Sequence, residues 1–411
     1  MLTPWPPVWH SIRVCSWTPL SWQRKCLLLG SSVANHTPAF IDRPDAAERY
    51  LGQLSAVREL ALDTEGASFH RFVDRVYLLQ LSTRDRTAII DPLNVAAAAL
   101  GPLGAVLESP AVEVVLHDAD YDLRLLHQDY GWHVRSIFDT RVASQLLGLK
   151  AFGLAALLDR YFGVTLDKKH QRADWSMRPL PADMLAYAAQ DTMYLLELRD
   201  LLRNELEKKH RLEWAREEFA RLEGTKWDNE DPADTFFRIK GARDLTRREL
   251  AVLRELVPWR DSVAGAMDRA TFRVIGNEQL LEIARTQPRS RDDLAKTKGV
   301  SRGILENRSQ DIVAAVKRGL DVPEADLPRF PKATRWDRDP HFDTRVSALK
   351  TVRDEAAQRL DLDPGVLASR ERLEAVARKK PTSRDELLSI PELRRWQVEV
   401  LGEGFLRALA R

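Results

Sequence analysis

Glu59-Leu-Ala-Leu-Asp-Thr-Glu-Gly66 is the stretch that decides the reading of this 411-residue chain. Short, mostly apolar and closed by Gly66, it has the pattern of a β-strand, in which residues two apart point to the same face. Asp63 and Glu65 therefore project together. Further along, Pro181-Ala-Asp-Met-Leu-Ala-Tyr-Ala-Ala-Gln-Asp-Thr-Met-Tyr-Leu-Leu-Glu-Leu198 carries a proline near its start and leucines at helical spacing, the marks of a helix. Residues four apart share a helix face, so Tyr187 and Asp191 do. Between the two, Val112-Glu-Val-Val-Leu-His117 reads as a buried strand and Asp120-Tyr-Asp-Leu-Arg-Leu-Leu-His127 as the helix after it. That places Asp122 just beyond a strand end, where α/β folds assemble their sites.

Several carboxylates aimed at one spot repel each other and resist ionisation unless a cation sits among them. All-oxygen ligands select a hard ion, Mg²⁺ or Mn²⁺. Two such ions about 3.5–4 Å apart can stabilise both the attacking and the leaving oxygen of a phosphodiester displacement. Tyr187, with an ordinary pKa of about 10, is a poor base alone, but its hydroxyl can orient a water that the metal has acidified. Any one of these aspartates by itself would read as a helix cap or a solvated charge. The joint pattern, Asp63, Glu65, Asp122, Tyr187 and Asp191, points to a two-metal nuclease.

Leu62-Asp-Thr-Glu65, Leu116-His117 with Asp122-Leu123, Ile137-Phe-Asp-Thr140, Leu166-Asp-Lys168, Asp174-Trp175, Arg178-Pro-Leu180 and Tyr187-Ala-Ala-Gln-Asp191 together resemble, in order, the ribonuclease D family of 3′–5′ exonucleases. The likeness spans about residues 40–411. It implies a ribonuclease H-like α/β nuclease fold carrying the Asp-Glu-Asp-Asp plus tyrosine signature. It also implies Asp63, Glu65, Asp122 and Asp191 as ligands of two Mg²⁺ (or Mn²⁺) ions, Tyr187 as the residue that positions the water, and RNA 3′ ends as substrate.

Asp118-Ala-Asp-Tyr-Asp122 offers three carboxylates where the family pattern needs one. Asp122 fits, five residues after His117 and directly before Leu123, which leaves Asp118 and Asp120 as expected caps of the following helix. Asp139 is left out of the metal shell, because the resemblance makes it structural. Lys168, Lys169, His170, Arg172 and Arg178 form a basic stretch that also carries Trp175. Such a segment can grip phosphates and stack on a base near the 3′ end, or it can be a solvated loop. For Trp175 core packing is the preferred reading; for Lys168, Arg172 and Arg178 substrate contact stays open. His70, just after the first motif, is a further candidate for contact with the terminal nucleotide.

A chain of this length suggests two or three domains. Its 63 basic and 61 acidic residues leave a net charge of +2, so affinity for nucleic acid must come from local patches. Cys15 and Cys26 are the only cysteines, which excludes a disulfide framework and zinc-ligand spacing. Residues 1–41 hold no Asp or Glu but contain Trp5, Trp9, Trp17 and Trp22, and read as a disordered extension. The run Leu27-Leu-Leu29 behind Arg24-Lys25 is too short for the roughly 7–15-residue core of a signal peptide. No segment approaches the roughly 20 apolar residues of a membrane span. A cytoplasmic protein is expected, with no obligate protein partner.

Within residues 42–225, expected to form the exonuclease domain, apolar runs at 60–65, 76–82 and 87–91 suggest an antiparallel meander, and helices dominate from Asp120 to about residue 220. A polar linker, Thr225-Lys-Trp-Asp-Asn-Glu-Asp-Pro232, then marks a boundary. Beyond it Glu278-Gln-Leu280 … Ser290-Arg-Asp-Asp-Leu294 recurs as Glu371-Arg-Leu373 … Ser383-Arg-Asp-Glu-Leu387, so two related modules are expected at 236–320 and 340–411. Ser290 with Asp293, Ser383 with Glu386 and Thr246 with Glu249 have the spacing of helix capping boxes. Each module should be a small all-α bundle, and both resemble HRDC domains. No Gly-Lys-Ser/Thr phosphate loop is present to suggest a helicase. Arg243, Arg247, Arg248, Lys296, Lys298, Arg302, Arg308, Lys317 and Arg318 of the first module, and Arg378-Lys-Lys380 of the second, are solvated charges or a collective grip on RNA.

The leading expectation is a metal-dependent 3′–5′ exoribonuclease that trims RNA 3′ ends, precursor tRNA among them, and releases nucleoside 5′-monophosphates. A DNA 3′–5′ exonuclease is the alternative, since the acidic site reads phosphates and does not demand a 2′-hydroxyl. An inert RNA-binding protein is the third reading, against which the intact acidic set argues. Deleting residues 232–411 is expected to weaken binding and spare the chemical step.

Overall fold

The computed structural model describes residues 37–167, 169–228, 232–331 and 339–410. Its first part is a six-stranded mixed sheet. The strands are β1 (Ala39–Ile41), β2 (Glu59–Glu65), β3 (Leu78–Ser82), β4 (Thr87–Ile90), β5 (Glu113–Leu116) and β6 (Ile137–Asp139), in the order β1-β4-β3-β2-β5-β6. β2, β3 and β4 form the expected antiparallel meander, while β5 and β6 continue it in parallel and β1 pairs parallel to β4. Ala39–Ile41, expected to lie in the extension, is instead part of the sheet. Residues 1–36 lie outside the described residues, but Ala39–Ile41 is an edge strand held in register on Ala88–Ile90.

Strands buried on both faces read as near-continuous apolar runs, and β3, β4 and β5 do. One face, with Leu60, Leu62, Leu79, Leu81, Val114 and Leu116, packs on α1 (Pro44–Gly52), α2 (Gly101–Leu107) and α3 (Asp120–Tyr130). The other, with Ala61, Leu78, Ile89 and Val115, packs on α4 (Thr140–Leu146), α5 (Leu154–Phe162), α6 (Ala182–Met193), α7 (Leu195–Lys208) and α8 (Leu212–Leu222). Alternation along β2 thus sends Asp63 and Glu65 to the α6 side and Thr64 to the α3 side.

The first helical module comprises α9 (Arg247–Met267), α10 (Thr271–Val274), α11 (Asn277–Thr286), α12 (Arg291–Lys296) and α13 (Arg302–Asp321) around its own apolar core. α9 and α13 cross closely at Gly319, where a Cβ would lie 2.5 Å from the Cα of Val252. The second module comprises α14 (Phe342–Leu360), α15 (Pro364–Leu367), α16 (Arg370–Lys379), α17 (Arg384–Leu388) and α18 (Arg395–Leu409). Its core does not stand apart. Leu349, Val376, Trp396 and Phe405 belong to the same apolar cluster as Leu157, Trp175 and Phe219 of the nuclease layer.

Thr246 and Glu249 form the expected reciprocal capping box. Ser290 and Ser383 cap as expected, but their acidic partners do not reach the serine's own amide. Asp293 accepts from the Ser290 hydroxyl, and Glu386 accepts from the main chain and hydroxyl of Thr382.

Candidate active site

β2 runs on to Glu65 after its pairing with the shorter strand β5 ends at Ala61, and that overhang is where the acidic residues meet. One carboxylate oxygen from each of Asp63, Glu65 and Asp191 lies within 4.8 Å of the others. Asp122 reaches the spot from the opposite face of the sheet, at the start of α3, so it stands outside that trio. Its Oδ1 accepts from the Thr64 amide at 3.0 Å and the Thr64 hydroxyl at 2.6 Å.

Burial pushes Asp63 and Glu65 well above the usual carboxylate range, and their neighbours push further: Asp122, Asp191 and Glu65 act on Asp63, and Asp191 and Asp122 act on Glu65. Asp122 is raised to about 7 by burial against the opposing Thr64 hydrogen bonds, and Asp191 to about 7 by burial and then by Asp122. Directly across from Asp63 on β3 sits Gln80, fully buried, with neither amide atom hydrogen-bonded. An all-oxygen, mutually repelling donor set beside an unsatisfied amide fits a hard divalent cation with its bound water. Asp63, Glu65 and Asp191, with Asp122 beside them, are the residues able to hold it.

Tyr187 stands one helical turn before Asp191 on α6, half-buried, its ring 5.8 Å from that of His170 and 6.1 Å from that of Trp175. Burial, then the charges of Asp191, Glu65 and Asp63, raise its pKa far above the ordinary phenol value. It therefore stays protonated and offers a hydroxyl, not a phenolate.

Other expectations meet a different structure. Asp118 and Asp120 cap nothing: Asp118, in a left-handed turn (φ 65°), pairs with Arg141, and Asp120 pairs with Arg124 one turn on. Asp139 is structural, caps α4 through the amides of Arg141 and Val142, and also accepts from the amides of Asp118 and Ala119. Arg178, a candidate substrate contact, is engaged within the fold. Its guanidinium is consumed by both carboxylate oxygens of the buried Asp91 (2.6 and 2.7 Å) and by the carbonyls of Tyr77, Trp175 and Met177.

Trp175, 1 % exposed, is a core residue. His70 is tied down as well, its Nε2 to the Arg172 carbonyl and its Nδ1 to Arg273. Lys168 lies outside the described residues, and Arg172 is exposed near the site. Many of the module cations are paired locally: Arg248 with Glu324, Lys296 with Asp293, Arg302 with Glu306, Arg308 with Asp311 and Arg318 with Glu255. Gln80 went unnoticed in the sequence, where Leu78-Leu-Gln-Leu81 is an apolar run and the one amide in it was the available signal.

The family model for 3′–5′ exonucleases matches residues 38–207, and the HRDC domain model matches 249–316 and 343–409. Ribonuclease D of Granulibacter bethesdensis is 32% identical over 349 residues, 84% of this chain and 86% of that protein. Ribonuclease D of Escherichia coli is 29% identical over 370 residues, 89% of this chain and 96% of that protein. The crystal structure of Escherichia coli RNase D, described as an exoribonuclease involved in structured RNA processing, superposes with a TM-score of 0.71 at 28% identity, covering 91% of this chain and 98% of that one.

Proposed function

Since the chain belongs to the ribonuclease D family and is a 3′–5′ exoribonuclease, we propose that it trims free RNA 3′ ends, precursor tRNA among them, by two-metal phosphodiester hydrolysis that releases nucleoside 5′-monophosphates. The observation that carries the reading is the convergence of Asp63, Glu65 and Asp191, from a strand and a helix more than a hundred residues apart, on one spot with Asp122 beside it. In this reading residues 42–225 carry the chemistry, while 236–320 and 340–411 help hold the RNA.

Two divalent ions, Mg²⁺ or Mn²⁺, held by these four carboxylates would supply positive charge to the attacking and leaving oxygens. Asp63 and Glu65, fixed by strand geometry on one face, and Asp191, fixed by α6, hold their oxygens in place before substrate arrives, so little reorganisation is needed. Thr64 keeps Asp122 turned toward the strand end. Tyr187, protonated at neutral pH, orients the attacking water through its hydroxyl and does not act as the base.

The test offers purified protein 3′-labelled single-stranded RNA and matched DNA with Mg²⁺, with and without a chelator, beside Asp191→Asn. Stepwise shortening of RNA from the 3′ end, abolished by chelator and by the variant, is expected. Absence of metal-dependent shortening of either strand sinks the nuclease reading; equal shortening of both removes the preference for RNA and leaves the chemistry.

A further inference from the structure

Beside the acidic site the loop after β2 and the first helical module build one surface between them. Phe69, four residues beyond Glu65, leaves 45% of its surface exposed, and Phe272 on α10 leaves 53%. The two rings meet edge to face, centroids 6.3 Å apart at 76°. Over the Phe69 ring lies the guanidinium of Arg172, its central carbon 5.3 Å from the centroid. Arg172 is exposed and pairs with no carboxylate among the described residues.

This arrangement is held firmly. Arg273 donates from Nε to the Phe69 carbonyl at 2.5 Å and from Nη2 to His70 Nδ1 at 3.2 Å. The Ala270 amide donates to the His70 carbonyl at 3.2 Å, and Arg71 pairs with Asp268 at 3.2 Å. The aromatic pair is therefore fixed from both sides while about half of each side chain stays exposed to solvent.

Position ties the surface to the site. At about 3.5 Å per extended residue, Phe69 is at most about 14 Å along the chain from Glu65, and Arg172 at most about 7 Å from His170, whose ring touches the Tyr187 neighbourhood. Exposed rings beside a guanidinium that pairs with no carboxylate among the described residues offer a ligand two things at once: a planar π-face to stack on and a positive charge to meet an anion. A nucleotide answers both, with a planar base and an anionic phosphate.

Resting on the function proposed above, we propose that Phe69, Phe272 and Arg172 form a stacking platform for one base of the single-stranded 3′ segment, upstream of the scissile bond. Arg172 meets the adjoining phosphate. Because Phe272 comes from the first helical module, that module completes the substrate site directly and does more than supply general positive charge. Stacking is tolerant of base identity, so the platform grips without selecting sequence.

The experiment uses the full-length chain. In an Asp191→Asn background with Mg²⁺, single-stranded RNAs carrying 2-aminopurine at successive positions from the 3′ end are titrated against the parent, Phe272→Ala, Phe69→Ala and Phe272→Trp. One upstream position should be quenched in the parent and in Phe272→Trp and unquenched in both alanine variants, with affinity roughly tenfold lower, the scale of one lost base–aromatic stack. In otherwise wild-type enzyme the same alanine changes should raise KM and leave the single-turnover rate at saturating enzyme within about twofold.

Alanine variants that quench, bind and turn over like the parent overturn the platform. So does a dimer in analytical ultracentrifugation that Phe272→Ala dissociates while RNA affinity is unchanged, since the surface then joins two copies of the chain. A parent enzyme that shortens no RNA fails the functional reading instead, whatever Phe272 does.

Discussion

Asp122 accepts both its strongest hydrogen bonds from a single residue, Thr64, whose amide lies 3.0 Å and whose hydroxyl lies 2.6 Å from the same carboxylate oxygen. The pair links the C-terminal end of β2 to the first turn of α3 across 58 residues of sequence. Thr64→Val keeps the side-chain shape and deletes the hydroxyl donor, leaving a buried carboxylate less satisfied. Loss of one such bond to a charged group costs about 1.5–3 kcal/mol. Urea unfolding of metal-free protein at pH 8 should show that loss, and Thr64→Ser should recover most of it. An unchanged midpoint in Thr64→Val refutes the role given to the hydroxyl.

Acidity of the site sets a pH signature. Asp122 and Asp191, raised to about 7 from an ordinary value of 3.8, hold protons in the folded chain that the unfolded chain has already lost between about pH 4 and pH 7. The folded metal-free protein thus enjoys their full contribution below about pH 4 and loses it as pH rises toward 7. Divalent ions need the deprotonated carboxylates, so apparent affinity for Mg²⁺ should climb as pH rises over that range. Calorimetric melting in chelator from pH 5 to 8 should fall more steeply for wild type than for Asp191→Asn, and added Mg²⁺ should raise the wild-type midpoint most at pH 8. Parallel curves for the two proteins place the titrating groups elsewhere.

Arg178 and Asp91 make a separate prediction because the basic residue is structural. Asp91 is fully buried, and removing its partner strands a charge. Arg178→Ala should cost about 3–5 kcal/mol, and Arg178→Lys should recover only part, since an ammonium cannot span both carboxylate oxygens and three carbonyls together. Thermal melting distinguishes this from a substrate contact, which would leave stability untouched and raise KM.

What the sequence revealed and what it hid differ by the range of the forces involved. Asp63 and Glu65 were legible because strand alternation is local, and Tyr187 and Asp191 because a helical turn is local. The three-residue strands β1 and β6 exist only through pairing with β4 and β5, and nothing in Ala39–Ile41 or Ile137–Asp139 announces those partners. Arg178 read as a surface cation because its carboxylate lies 87 residues earlier. The grip of the first module on Phe69 and His70 was equally silent, since Arg273 and Asp268 look like ordinary helix-end charges until the fold brings them 200 residues back along the chain.

The second module carries the strongest revision. Deleting residues 232–411 was expected to weaken binding and leave the chemical step largely intact. Instead Trp396 stacks on Trp214 at 4.8 Å and 17°, donates from Nε1 to Glu218 at 3.0 Å, and sits in one continuous apolar cluster with the nuclease helices. The first amides of α18 donate to Glu217, and Arg211 donates to the Leu360 carbonyl at 2.6 Å. Removing residues 232–411 uncovers that cluster along α8, so the truncated nuclease should melt earlier, bind hydrophobic dye and aggregate, and its activity should fall for that reason before any loss of RNA contact is felt. Trp396→Ala in the full chain isolates the contact: truncating a buried tryptophan costs about 3–5 kcal/mol, which should appear as a lower melting point of the nuclease core. If Trp396→Ala melts the second module alone and the nuclease transition stays in place, the two are independent and the shared cluster carries no coupling.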